Sequence, residues 1–553
     1  MATHTMEKEF ELSHLEDSRS HAAPSIMKDA VGDAIEAEGS MGFLQAVRLY
    51  PMAIFWSVGM STAVIMEVYA VMLLSSFYAL PQFNRKYGQQ QPDRTFVVPA
   101  SWKSGLSNGA LCGEILGLFL TGIFQDRYGY RKTICAALLM VTGFIFILFF
   151  ANGVEMLLVG EILCGIPWGA FQTITTAYAS EICPVALRAY LTTYVNLCWV
   201  IGQLVVSGVL KGVLDRQDQW AYRIPFAVQW IWPIPLLVIC ILAPESPWWY
   251  VRHGQLDRAK KSLERLMSQS NDMADHTVAM MQHTDQLEKE ASSGTSYLEC
   301  FRPSNIRRTE IVCFVWLIQI ICGSQLMGYS TVFYVAAGLN ERNSFTMSLI
   351  QYSIGAIGTI LSWFLMSRVG RRTIYLYGLA ILFVLLMVIG FVSLAPRSDN
   401  VNWTIAAMLS VFTFIYDLTV GPVCYSLVAE LSSTRLRAKS VVLARNLYNI
   451  GGIVVNVLIN YQLTSTVWDW GARSAFFWGG SCLCCAIWTF FRLPEPSGRT
   501  YAELNILFAN NVPARKFATT QVDVVRGTIV AEHEEYGRNA KDTVIVFLVE
   551  DEF

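Results

Sequence analysis

Charge is what this chain has least of. Asp, Glu, Lys and Arg make up 15% of its 553 residues, 54% are hydrophobic, and the mean hydropathy is +0.40. Soluble domains carry about 25% charged residues, so much of this chain is not built to face water. The net charge of -2 lacks the basic excess that attracts a nucleic-acid partner. Cysteine is present, but without a pattern. Most of the 13, such as Cys112, Cys164, Cys198, Cys322 and Cys484, fall inside apolar runs with neither zinc spacing nor a disulfide framework. They read as small packing residues. No cleavable signal peptide opens the chain: residues 1–40 are rich in Glu, Asp, His and Ser and read as a disordered cytoplasmic tail. The polar interval 244–308 holds no metal cluster and no glycine-rich phosphate loop, so neither metal nor cofactor is expected.

What the chain does have is a repeat. Asp126-Arg127-Tyr128-Gly129-Tyr130-Arg131 returns as Ser367-Arg368-Val369-Gly370-Arg371-Arg372. Glu181, ahead of Arg188, returns as Glu430, ahead of Arg437; Pro244-Glu245-Ser246-Pro247 returns as Pro494-Glu495-Pro496-Ser497. The offsets are 241, 249 and 250 residues, which marks a duplicated unit. Apolar stretches of about 20 residues, enough to cross a bilayer, lie near 52–78, 105–125, 133–151, 156–179, 190–211, 225–243, 309–335, 347–366, 373–395, 404–429, 440–461 and 473–491. The expected fold is an all-α membrane protein with twelve transmembrane helices in two six-helix halves, the plan of a secondary transporter. The expected divisions are a tail at 1–45, a first half at 46–243, a linker at 244–308, a second half at 309–492 and a second tail at 493–553. Charged, periodic segments at Leu256–Leu266 and Thr277–Lys289 predict short linker helices on the inner face. The run Val544 to Val549 is apolar but too short to span.

Basic residues crowd the even-numbered turns: Arg127, Arg131, Lys132, Arg188, Arg368, Arg371, Arg372, Arg435, Arg437 and Lys439. The opposite short loops carry only Arg342, Arg397 and Arg473. The asymmetry predicts that both termini are cytoplasmic. Asn402-Trp403-Thr404 fits a glycosylation acceptor on the outer side, although it abuts the tenth span. At the inner turns, Asp126, Arg127, Arg131, Glu181, Arg188, Arg368, Arg371, Glu430 and Arg437 can form charge-assisted bonds that hold helix ends in one state and release them in another. They are the candidate gating residues.

Together these marks resemble the sugar porters of the major facilitator superfamily: the Asp-Arg-x-Gly-x-Arg turns, the Glu-x6-Arg loops, Pro244-Glu245-Ser246-Pro247-Trp248-Trp249 and Pro494 to Thr500. Further stretches are similar to the fungal maltose permeases, the α-glucoside:proton symporters: Ser75 to Phe83, Gly165 to Gly169, Tyr194 to Trp199, Cys322 to Thr331, Ala444-Arg445-Asn446 and Val512 to Phe517. The resemblance implies a plasma-membrane carrier acting as a monomer in the lipid bilayer, with a sugar substrate and a proton as coupling ion.

A sugar pocket needs amides and hydroxyls among aromatic faces. Gln172, Gln203, Ser324, Gln325 and Ser330 have that chemistry in mid-span, and Gln203 and Gln325 match positions where the resembled family binds sugar. Tyr425 stands where many sugar porters carry a stacking Trp. For Gln172 and the others, bonding between helices is the competing reading. Three embedded ionisable groups are candidates for proton coupling: Glu67, Glu114 and a cation, Arg445. The family's Glu-Gly-Tyr-Asp reads Glu67-Val68-Tyr69-Ala70 here, so a carboxylate that the resemblance would assign to coupling is replaced by Ala70. A symporter, a uniporter and a drifted carrier for another sugar or a specialised metabolite all remain open. A sensor would need longer tails, and no nucleophile-base set supports an enzyme.

Overall fold

The computed structural model describes residues 43–530, apart from 93, 269–270, 293–296, 397, 433–435, 498, 500 and 524–527. The first tail up to residue 42 and the run Val544 to Val549 lie outside the described residues, as do the side chains of Arg188 and Arg437.

Eleven helices among the described residues are long and apolar enough to cross a membrane. A twelfth crossing is broken. In chain order they are α1 (Pro51–Phe77), α2 (Ala100–Tyr128), α3 (Tyr130–Phe149), α4 (Val154–Ile182), α5 (Val185–Val213), α6 (Trp220–Leu242), α7 (Pro303–Ile321, resuming at Ser330–Ala337), α8 (Glu341–Met366), α9 (Arg371–Val392), α10 (Asp399–Leu418, resuming at Val420–Leu431), α11 (Arg437–Leu463) and α12 (Ser474–Arg492). The chain is thus a multi-pass membrane protein with the expected two six-helix halves. Several helices outrun their apolar stretches, because hydropathy marks only the part of a helix that meets hydrocarbon. α2 and α4 carry Asp126 and Glu181 on their last turns in this way.

The break in α7 was not legible as an apolar interruption. Gly323 adopts φ +99, a left-handed conformation that ends the helix, and the Ser324 hydroxyl caps back onto the Gln319 carbonyl. One turn, Gln325–Gly328, follows before the helix resumes. Short hairpins pair Gln89–Gln90 with Phe96–Val97, between α1 and α2, and Gln521–Asp523 with Thr528–Val530, after α12.

Close packing sets the register of the first half. A Cβ at Gly117 would stand 2.1 Å from the Ile166 carbonyl oxygen, and Gly165 and Gly169 press equally on α2. Small residues let membrane helices approach this closely, where packing and not water drives association. The α2–α4 contact places Glu114 at the level of Gln172. The halves meet along α2 against α11 and α5 against α8. Among the described residues the linker holds three α-helices, Pro247–Arg252, Leu256–Glu264 and Asn271–Ser292, and a 3-10 helix at Tyr297–Phe301. Asn402 is buried and donates to the Gly338 carbonyl at 3.2 Å, which leaves its amide no room for a glycan.

Candidate transport site

At the centre, one amide joins the two halves. Gln172 on α4 donates through Nε2 to Glu67 Oε1 on α1, and stands 3.4 Å from Glu114 Oε2 on α2. Its Oε1 accepts from Arg445 on α11, at 3.0 Å from Nε and again from Nη2. This polarity follows from the partners: carboxylates take N–H groups, and a guanidinium offers only donors. Arg445 therefore reaches the two carboxylates through Gln172, a residue that the sequence suggests for substrate. Glu67 is fully buried and Glu114 nearly so.

The cation is boxed by aromatic faces of the second half. The Arg445 guanidinium lies 4.5 Å from the Tyr448 ring centre and 4.9 Å from that of Trp316. Tyr425 stands edge-on to Trp316 at 4.9 Å. Such faces attract a guanidinium and can also cover the C–H face of a ring.

The other candidates divide. Gln203 on α5 is buried, and Gln325 is half-buried in the α7 break. Ser324 is spent on the helix break. Ser330 turns away towards α8, where its hydroxyl meets Ser348 at 2.9 Å and Tyr352 at 3.3 Å.

At the end of the bundle away from the basic turns, the halves are stitched by polar contacts. Lys103 Nζ donates to Thr464 Oγ1 at 3.3 Å. Tyr329 OH meets Ser107 Oγ at 3.0 Å and Asn460 Nδ2 at 3.4 Å, and Ser75 Oγ donates to the Gly328 carbonyl at 3.3 Å.

At the basic-turn end each half builds one network around two carboxylates. Glu245 accepts from the backbone N–H groups of Tyr130 and Arg131 at 2.9 and 3.1 Å, capping α3. Glu495 does the same for Arg371 and Arg372 at 2.8 and 3.0 Å, capping α9. Anions are favoured at a helix N-terminus by its free N–H groups. Each cap needs a turn glycine: a Cβ on Gly129 or Gly370 would lie 2.5 or 2.3 Å from the carboxylate. Burial pushes the Glu245 carboxyl up, and the N–H groups of Ser246, Arg131 and Tyr130 pull it part of the way back. Glu181 accepts from Tyr130 OH at 2.8 Å, from Ser246 Oγ and from Arg252 Nη2 at 2.8 Å. Glu430 accepts from Arg371 Nε at 3.2 Å, with Nη2 of the same ion pair at 3.1 Å, and from Ser426 Oγ at 2.8 Å.

The model of the family described as "Sugar (and other) transporter" matches residues 56–508. The chain belongs to that family. The transporter is 42% identical to the maltose permease MAL61 of Saccharomyces cerevisiae, over 98% of this chain and 91% of the permease. It is 41% identical to a general alpha-glucoside permease of the same yeast, over 93% and 86%. Among solved structures it resembles the xylose transporter XylE of E. coli in a partially occluded inward-open conformation, with a TM-score of 0.67 over 81% of this chain and 100% of that one. At 18% identity this likeness bears on the fold alone: the transporter has the major facilitator architecture. As a member of this family it is not an enzyme.

Of the residues expected in the turns, Glu181, Arg371 and Glu430 sit in the networks, while Arg131 enters through its backbone. Asp126, Arg127 and Arg368 stand exposed; Arg127 lies over the Tyr128 ring. The carboxylates Glu245 and Glu495 and the cation Arg252 were missed as network members, although the repeated Pro-Glu pair already pointed to the first two. Glu161 and Lys103, both buried in the first half, were missed because Glu161 is a lone charge in an apolar run with no partner visible in sequence and Lys103 precedes the apolar stretch at 105–125 among serines.

Proposed function

We propose that this transporter imports α-glucosides such as maltose across the plasma membrane with protons, by alternating access, with both termini cytoplasmic. The observation that carries this reading is the Glu67–Gln172–Arg445 bridge, which links carboxylates of one half to a cation of the other. Protonation of a carboxylate there weakens its claim on the Gln172 amide, and so the hold of one half on the other. The names of the maltose and alpha-glucoside permeases support the substrate class. The stitched end away from the basic turns supports a molecule closed on its outer side. Gln203, Gln325 and Tyr425 offer amides and an aromatic face for the sugar, and the two turn networks serve as gates at the inner end. A single carrier suffices for this cycle, so the monomer is the working unit.

A second reading is a uniporter, and Ala70 favours it. Labelled maltose uptake in a transporter-deficient host, with and without a protonophore, separates the two. Symport predicts accumulation above the external concentration that collapses with the protonophore; equilibration alone, insensitive to the protonophore, refutes it. Ala70→Asp with Val68→Gly is expected to steepen the dependence of uptake on external pH. Val68 is tightly seated, since a Cβ at Gly202 would lie 2.8 Å from its Cβ, so the second change makes room.

A further inference from the structure

The buried face of α4 carries more polar chemistry than the central bridge uses. Glu161 precedes Gln172 by eleven residues on that helix, which is about three turns and roughly 16 Å along the axis, on the same face. Trp168 lies on this face between them. Glu161 is 1% exposed and Trp168 fully buried. Glu161 Oε2, Trp168 Nε1 and Glu67 Oε2 all lack a hydrogen-bond partner among the described residues. Protein interiors satisfy nearly all their polar groups, so three such atoms around one helix face call for a use.

Among the described residues no cation answers Glu161. The titratable groups within electrostatic reach of it are Glu114 on α2, Tyr78 just beyond α1 and Cys164 on its own helix. Lys103, one helix end farther out, is bonded to Thr464. A Cβ on Gly113 would lie 2.2 Å from the Ile162 carbonyl oxygen, so Glu114 and Glu161, the adjacent residues on α2 and α4, flank one close helix contact. A carboxyl there, with no counter-charge and no donor among the described residues, is poorly suited to hold a fixed charge and well suited to hold and pass a proton. Its place is also apt, because α4 starts at Val154: Glu161 lies between the stitched end of the bundle and the central carboxylates.

We infer that Glu161 is a proton-binding site that exchanges its proton with Glu114, supplying in the first half the carboxyl that Ala70 removes. This rests on the proton-coupled reading above. The step is a proton transfer only: the O–H bond at Glu161 breaks as one forms at Glu114, and no electron changes hands. Gln172, which touches both Glu114 and Glu67, then passes the change of charge to Arg445.

The full-length transporter in proteoliposomes, with labelled maltose as the probe, tests this. Accumulation driven by a pH gradient is compared with equilibrium exchange at equal pH, which moves no net proton. In Glu161→Gln the rate of gradient-driven accumulation is expected to fall about tenfold or more, the scale of a lost proton-transfer group, with exchange within about twofold of wild type. An infrared carboxyl C=O band that shifts in deuterated water should vanish in Glu161→Gln and return, displaced, in Glu161→Asp. Unchanged accumulation in Glu161→Gln, or no carboxyl band that depends on position 161, overturns the inference. A wild-type protein that exchanges maltose yet ignores the pH gradient overturns the proton-coupled reading instead, and the infrared band still reports on Glu161 by itself. If Glu161→Gln proves too unstable to exchange, Glu161→Asp decides: slowed accumulation with normal exchange supports the site, and wild-type accumulation without the displaced band refutes it.

Discussion

The two halves carry the same signatures and close them differently. Both set a carboxylate under the N-terminus of their third helix, Glu245 below α3 and Glu495 below α9. They part at the residue after the turn glycine. In the second half that residue is Arg371, whose guanidinium reaches Glu430 and Ser497 Oγ within its own half. In the first half it is Tyr130, which offers Glu181 a hydroxyl but no charge. The missing charge comes from Arg252, on the first linker helix. The first-half network is therefore tied to the linker, while the second is self-contained. Duplication kept the backbone cap, which geometry demands, and let the ion pair move, because a charge can arrive from any side. The centre shows a similar division, with carboxylates in the first half and the boxed cation in the second.

The central division can be broken most severely. Arg445→Ala would leave Gln172 Oε1 without its donors and the buried carboxylates without a cation. Leaving a buried acceptor without its charged donor costs about 1–3 kcal/mol, so uptake is expected to fall by roughly tenfold to a hundredfold at normal membrane abundance. Arg445→Lys should rescue little, because a lysine cannot make two bonds to the amide while lying flat between Trp316 and Tyr448. Near-normal uptake by either variant, measured with surface quantification, would refute the bridge.

The difference at the basic-turn end predicts a smaller, asymmetric effect. Arg371→Ala removes the cation of Glu430 and a bond to Ser497 together, whereas Arg252→Ala leaves Glu181 with Tyr130 and Ser246. Both pairs are partly exposed, with Arg252 at 40% and Arg371 at 25%, and exposed pairs contribute only about 0–1 kcal/mol. Turnover should drop about threefold in Arg252→Ala and more in Arg371→Ala, with substrate affinity little changed. Tyr130→Arg rebuilds the second-half pattern in the first half, so adding it to Arg252→Ala should recover turnover. If Arg252→Ala is as slow with Tyr130→Arg as without it, the two networks are not equivalents. Cysteine accessibility of the helix ends at the basic turns would show the accompanying shift between states.

The fold was legible because twelve apolar stretches and three repeated signatures are periodic, local signals. The site was legible only in part. Glu67, Glu114, Gln172 and Arg445 stood out as polar residues in apolar runs, but that Gln172 lies between the charges depends on the register of α2 against α4, which glycine packing sets and no single run encodes. The break at Gly323 was hidden because an apolar sequence does not reveal a left-handed residue. Arg252 was missed for another reason: it belongs to the linker, and a sequence repeat cannot show a partner that only one copy uses.

The mildest comparison sets one amide proposed for the pocket from each half against the other. Gln203 lies on α5 of the first half and Gln325 in the α7 break of the second, and neither belongs to the bridge or the stitched end. Each truncation to alanine removes hydrogen bonds to a neutral sugar, worth about 0.5–1.5 kcal/mol apiece, so apparent affinity should weaken roughly three- to tenfold with turnover less affected. Gln325 is half-buried where Gln203 is buried, and a less confined side chain loses more entropy on binding. Gln203→Ala is therefore expected to cost more than Gln325→Ala. Initial-rate uptake of labelled maltose over a range of concentrations decides it: equal losses would mean that Gln325 is as confined as Gln203, and no loss in either would remove both from the pocket.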